Sequence, residues 1–183
     1  WWTRKKRIPI TEFLKKYKIK VKAGGRWYFN ENYFEKIDKP DKAYFLGLLA
    51  TDGSIMGNSF RLALQIKDKH ILNTFKKYIK TKRPLQFLKK RDKNHQDQFI
   101  LSCGSKKIAQ DLKKYGIIRN KTFITTFPHK RLIPKNLIRH FLRGIFDGDG
   151  SINRTSGIMN IVSASKKFLR NLAKVILINY GLQ

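Results

Sequence analysis

The chain has 183 residues, 41% hydrophobic and 13% aromatic, which excludes a disordered polyelectrolyte and allows a buried core in one or two compact units. Its 41 Lys+Arg against 12 Asp+Glu give a formal net charge of +29, which excludes an acidic solvating chain. A chain that repels itself this strongly is expected to meet a polyanion: nucleic acid, whose phosphates run along an extended line, with an acidic membrane surface as the competing partner.

The basic residues are spread among apolar periodic segments and not gathered in one tail, which favours nucleic acid, although an AT-rich genome can also inflate Lys without physical purpose. No apolar run approaches the roughly 20 residues of a membrane span, and no signal peptide is visible. The single cysteine, Cys103, sits in an apolar stretch and reads as a small buried thiol. A reducing compartment with access to DNA fits, and a cytoplasmic location is the expectation. The four histidines, His70, His95, His129 and His140, lack the mutual spacing of metal ligands.

In chain order, the opening "WWTRKKR" has no initiator Met and reads as the interior of a longer chain. Residues 1–37 form a basic segment with a short amphipathic helix in "ITEFLKKYKI" after Thr11, then Gly24-Gly25 and an aromatic strand. Residues 41–52 read as a helix, with Pro40 near its first turn and Gly53 just past its end. Residues 60–67 alternate in the strand period, placing Leu62, Leu64 and Ile66 on one face and Arg61, Ala63, Gln65 and Lys67 on the other. A helix over 69–80 buries Ile71, Leu72, Phe75 and Ile79, and strands are expected at 84–90 and 97–103. The helix in "KKIAQDLKKYG" carries Ile108, Ala109, Leu112 and Tyr115 to a stop at Gly116. Helix, strand pair, helix, strand pair, helix describes a mixed unit whose sheet has one face on helices and the other, basic and polar, open to a partner.

The unit occurs twice. "FLGLLATDGSI" at 45–55 is answered by "FLRGIFDGDGSI" at 141–152, and Asp52 and Asp149 lie 97 residues apart. Carried forward without a gap, that offset sets Gly53, Ser54 and Ile55 on Gly150, Ser151 and Ile152, Leu64 on Ile161, Phe75 on Leu172 and Ile79 on Ile176. The second copy opens near Pro134 and follows the pattern to Leu182. Counterparts of residues 87–127 would lie beyond Gln183, so the second sheet is expected to lack a strand pair and a closing helix.

Along the duplicated helix the small residues recur at helical spacing: Ala43, Gly47 and Thr51 in one copy, Gly144 and Gly148 in the other. Small residues four apart let two backbones approach closely, which makes Gly47, Gly144 and Gly148 the candidate helix interface. Side by side, the helices would bring Asp52 and Asp149 to neighbouring C-terminal ends, where each acid meets the negative end of a helix dipole and a like charge. A divalent cation, Mg²⁺ or Mn²⁺, would relieve that repulsion, with Thr51 and Gly148 completing the candidate metal set beside the two acids. Phosphodiester hydrolysis is the chemistry such a site suits. Taken singly, an Asp-Gly after a helix is a stop signal and turn; recurrence with the glycine-spaced helix favours the chemical reading.

On the outer strand face Arg61, Gln65 and Lys67 alternate correctly for base edges in the major groove. Lys89, Lys90 and Arg91, near a hairpin tip, suit phosphates. Asp68 and its counterpart Ser165 either hold ordered water at the site or cap the helix that follows.

The segments "FLGLLATDG" and "LRGIFDGDG" resemble the paired motifs of LAGLIDADG homing endonucleases of the single-chain type, over about residues 26–183. The acid at the sixth motif position is kept as Asp147, where the first copy has Ala50; Asp52 and Asp149 occupy the eighth, catalytic position. The resemblance implies an α+β fold of two pseudo-symmetric αββαββα halves, 38–130 and 131–183 with the second incomplete, forming a saddle over double-stranded DNA as a pseudo-dimeric, monomeric chain. It implies that Lys121, in "GIIRNKTFITTFP", assists near the scissile phosphate, and that residues 1–37 are a remnant of a helix-turn-helix module. The implied activity is metal-dependent, site-specific cutting of both DNA strands in the homing of an intron or intein. The alternative is a non-catalytic binder on the same fold, an RNA maturase or a DNA-binding regulator; a ribosomal-type RNA binder explains the charge but not the duplicated Asp-Gly.

Overall fold

The computed structural model describes residues 27–90, 96–118, 127–128 and 132–181. The amphipathic helix expected after Thr11, together with Arg91, His95, Lys121 and His129, lies outside the described residues.

Helix α1, Pro40–Asp52, begins where Pro40 presets the first turn and Asp41 places an acid at the positive end of the dipole. It ends on Gly53, whose N–H donates to Leu49 O. The backbone there is extended, with φ −86°, so the glycine is not needed for a left-handed turn. It is needed because a Cβ would stand 2.5 Å from Leu49 O as the chain leaves the helix directly into a strand. Strands β1, Gly53–Met56, and β2, Ser59–Gln65, form a hairpin around Gly57, which does take positive φ, 59°. A 3₁₀ turn, Ile66–Asp68, leads into helix α2, Lys69–Tyr78. Strands β3, Gln86–Leu88, and β4, Gln98–Gly104, and helix α3, Lys106–Lys114, complete the first copy. Helix α4, Ile138–Asp149, then feeds strands β5, Gly150–Ile152, and β6, Met159–Ile161, followed by helix α5, Lys166–Tyr180.

The fold is α+β, with an antiparallel four-stranded sheet in the order β1-β2-β4-β3 and a separate β5-β6 pair. Phe60, Leu62 and Leu64 on the inner face of β2 are buried in one core with Leu72 and Phe75 of α2 and Ile108 and Leu112 of α3. Phe45 of α1 stacks on Phe75 at 4.4 Å between ring centres. The same core continues through Phe141 and Ile145 of α4 to Phe168 and Leu172 of α5.

Several expected boundaries move. Strand β2 stops at Gln65, opposite Gln98 where β4 begins. With no partner strand beyond, the chain tightens into the 3₁₀ turn, which leaves Ile66 46% exposed and takes Lys67 off the strand. The strand expected at 84–90 shrinks to three residues, and the helix expected to reach residue 80 ends at Tyr78. No strand forms over residues 27–30. Instead Asn30 N–H bonds Ile79 O at 2.7 Å, and Phe29, Tyr33, Phe34 and Ile37 are buried in the core with α1, so packing does not break at residue 37.

The repeat is also not gapless. Gly53 pairs with Leu62 and Ile55 with Phe60, whereas Gly150 pairs with Ile161 and Ile152 with Met159. Ile161 therefore takes the place of Leu62, not of Leu64: the second hairpin loop is longer, and its link to the next helix is shorter. A two-residue shift in a strand keeps every side chain on its face, so the apolar match in the sequence survives it.

The two hairpins differ most in what covers them. Ile55 and Phe60 are 2% and 0% exposed, while their counterparts Ile152 and Met159 are 56% and 69% exposed. In the first copy β4 pairs with the far edge of β2 and α3 packs on β2. Among the described residues β6 has no such strand or helix. Ile55→Ala should lower unfolding stability by about 2–4 kcal/mol, against less than about 0.5 kcal/mol for Ile152→Ala, in parallel urea melts. Equal losses would contradict this burial contrast.

Candidate functional site

The site is built by the crossing of α1 and α4. A Cβ at Gly47 would stand 2.2 Å from Phe141 O and 3.0 Å from Ile145 N; one at Gly144 would stand 2.1 Å from Tyr44 O and 2.9 Å from Leu48 N. These contacts exchange under the 97-residue offset, since Tyr44 answers to Phe141 and Leu48 to Ile145. The helices thus touch through backbone at both glycines. Nearer the ends, a Cβ at Gly148 would stand 2.0 Å from Thr51 Oγ1 and 2.7 Å from Asp52 Oδ2. The Asp52 carboxyl therefore lies against the residue that precedes Asp149.

Both acids close their helices, and the Gly150 N–H donates to Phe146 O as Gly53 N–H does to Leu49 O. The electrostatics are unusual for so basic a chain. Helices α2 and α3 finish on Lys76, Lys77 and Lys113, Lys114, which complement the negative end of the dipole, whereas α1 and α4, like α5, have no basic residue in their last turns. Two carboxylates at adjoining carbonyl-rich helix ends fit a hard divalent cation as a donor set. Among the described residues no three His, Cys, Asp or Glu side chains gather as ligands, so further donors to such an ion would be carbonyls, water or substrate phosphate.

The flanks of the crossing are unlike. On one, Tyr44 Oη donates to Asp147 Oδ2 at 2.9 Å, and Arg143 Nε lies 3.7 Å from the same oxygen. On the other, the counterparts of Tyr44, Arg143 and Asp147 are Phe141, Leu46 and Ala50, all buried. Burial, then the Asp147 carboxylate, raises the Tyr44 phenol above its ordinary value, so it stays a hydrogen-bond donor.

The outer face of the four-stranded sheet carries Arg61 and Gln65, as alternation predicts, while Lys67 stands in the 3₁₀ turn. Register adds residues that the sequence did not flag: Ser54 and Ser102 flank Arg61 on neighbouring strands, Gln98 lies opposite Gln65, and Gln86 lies across from Ile100. The signal was hidden because Ile100 on this face breaks the polar alternation of β4. Gln65 Oε1 is buried with no hydrogen-bond partner among the described residues, so that carboxamide must turn before its acceptor meets a base edge. Lys89 and Lys90 follow β3, with Lys90 N–H held by Asp97 Oδ1 at 2.7 Å.

Of the paired residues before α2 and α5, Ser165 caps its helix, accepting from Phe168 N–H at 3.2 Å, but the Asp68 side chain does not cap α2. The 3₁₀ turn runs straight into α2, and Asp68 lacks the extended backbone a capping side chain needs. Cys103 is buried on β4, and burial pushes its thiol up to about 11. No helix among the described residues is long and apolar enough to cross a membrane.

Two helices crossing glycine to glycine, each ending in Asp-Gly and opening into a β-hairpin, define a duplicated helix–hairpin protein with paired terminal acids. Residues 136–183, the second copy, match the family model of the LAGLIDADG-like domain, which supports the family resemblance read from the paired motifs. It is also similar to three proteins of Methanocaldococcus jannaschii. It is 26% identical to a probable translation initiation factor IF-2 over 73% of this chain and 11% of that protein. It is 25% identical to the DNA-directed RNA polymerase subunit Rpo1C over 73% of this chain and 15% of that one. It is 27% identical to a glutamine–fructose-6-phosphate aminotransferase over 85% of this chain and 14% of that one. The chain thus spans less than a sixth of the length of the curated relatives it matches.

Proposed function

We propose that the chain is a site-specific, divalent-metal-dependent endonuclease that cuts both strands of duplex DNA. The observation that carries this reading is the reciprocal glycine contact of α1 and α4, which sets the Asp52 carboxyl against Gly148, next to Asp149. In this reading the copies are pseudo-symmetric halves, 38–130 and 131–183, whose sheets form a saddle, and Asp52, Asp149, Thr51 and Gly148 would hold the ion. When bound, a divalent cation polarises the phosphoryl oxygens and stabilises the leaving 3′ oxygen. The acids hold that charge at the helix ends. Lys121 approaches the scissile phosphate, Arg61 and Gln65 face base edges, and Lys67, Lys89, Lys90 and Arg91 hold the backbone.

The three relatives bear unrelated names and share only 11–15% of their lengths with the chain, which supports a portable segment carried inside otherwise unrelated proteins. An endonuclease that copies its own intein or intron is a segment of that kind. The test is to incubate the chain with randomised duplex DNA and Mg²⁺ and to sequence the new ends. Paired breaks at one recurrent sequence, absent in EDTA, support the proposal. Retention of DNA or RNA without breaks would favour the non-catalytic binder.

A further inference from the structure

Each acid closes a helix, but the two last turns are tied differently. In α1 the Thr51 hydroxyl donates to Leu48 O at 2.9 Å and lies 3.4 Å from Asp52 Oδ2. The counterpart of Thr51 in α4 is Gly148, which has no hydroxyl and loosens a helix by about 1 kcal/mol relative to Ala. It cannot be otherwise, because Thr51 fills the space a Cβ would take. What α4 has instead is the bond from Tyr44 Oη to Asp147, two residues before Asp149. The first copy has no equivalent, since Phe141 lacks the hydroxyl and Ala50 the carboxylate.

We infer that Tyr44 is a positioning residue: through Asp147 it holds the last turn of α4, and so the direction in which Asp149 is presented, on this flank only. The ring of Tyr44 packs edge-on against Phe45 at 5.0 Å between centres, and Arg143 lies 5.5 Å over its face, so the hydroxyl is delivered from a fixed platform. Resting on the nuclease reading, the consequence is that the two strand cuts depend unequally on Tyr44.

Amide exchange in the metal-free protein tests the clamp apart from any activity. The reporters are the closing N–H groups of the two helices, Gly150 to Phe146 O and Gly53 to Leu49 O. Tyr44→Phe keeps the ring and should speed exchange at Gly150 about tenfold, leaving Gly53 unchanged. Asp147→Asn keeps an acceptor for the hydroxyl and should stay within about threefold of the unsubstituted chain at Gly150. No change at Gly150 in Tyr44→Phe, or equal acceleration at Gly53, would overturn the inference. On a cleavable plasmid Tyr44→Phe should also accumulate circles nicked in one particular strand; equal slowing of both cuts counts against it. Failure of the unsubstituted chain to cut any DNA would sink the nuclease reading and leave the exchange result standing.

Discussion

Gly47→Ala should be among the most destabilising single substitutions in the chain. The added Cβ would stand 2.2 Å from Phe141 O and 3.0 Å from Ile145 N, and both neighbours are backbone, which no rotamer change can move aside. The helices would have to separate, opening the middle of a core that runs from Phe45 and Phe75 to Phe141 and Phe168. Overpacking costs typically about 1–3 kcal/mol and more where backbone must move, so a loss of about 3 kcal/mol is expected from a total stability of about 5–15 kcal/mol for a domain. Gly57→Asn is the control, because Gly57 has positive φ but nothing within 4 Å of a Cβ, and Asn tolerates that backbone. Urea melts followed by circular dichroism should show Gly57→Asn near the unsubstituted midpoint and Gly47→Ala with a clearly lowered one. A normal midpoint for Gly47→Ala would mean that the helices do not touch.

The second large effect is chemical. If the chain cuts DNA as proposed, Asp52→Asn and Asp149→Asn should each lower the rate at least about a thousandfold in Mg²⁺, because each removes one of the two negative charges proposed to hold the ion. Duplex affinity should change little, since the proposed binding rests on the +29 charge and the outer sheet face. The asparagine is nearly isosteric and removes a like charge from the helix ends, so the metal-free melting midpoint should hold or rise and not fall. Arg61→Ala should show the opposite pattern, with weakened and less selective binding while the acids remain in place. Cutting at the full rate by either asparagine variant would remove the acids from the mechanism.

Much of this architecture was legible in the sequence because it is written in glycine. The spacing of Gly47 and Gly144 suits close backbone approach, and the two lie where the helix backbones meet, whereas Gly148 makes room for the Thr51 and Asp52 side chains. The first copy's element order was equally plain from its periodicities. Pairing register was not: the two-residue shift in the second hairpin preserves strand face and so leaves no trace in an apolar pattern. Ile66 carried the right period but lay past the end of its partner strand, a fact set by β4, more than 30 residues away. The Tyr44–Asp147 bond had a signal in the repeat itself, for Tyr/Phe at one position and Asp/Ala at another change together across the offset. Conversely Asp68 and Ser165 match in sequence yet differ in capping, because only one follows a 3₁₀ turn.

In the proposed reading the crossing makes one cation site out of two helix ends. Crystals of the chain bound to its duplex and soaked in Mn²⁺ test it through the anomalous scattering of the metal. The account predicts a peak bounded by the carboxylates of both Asp52 and Asp149, lost when either is changed to Asn. A metal held elsewhere, or carboxylates too far apart to share a metal cluster, would contradict it.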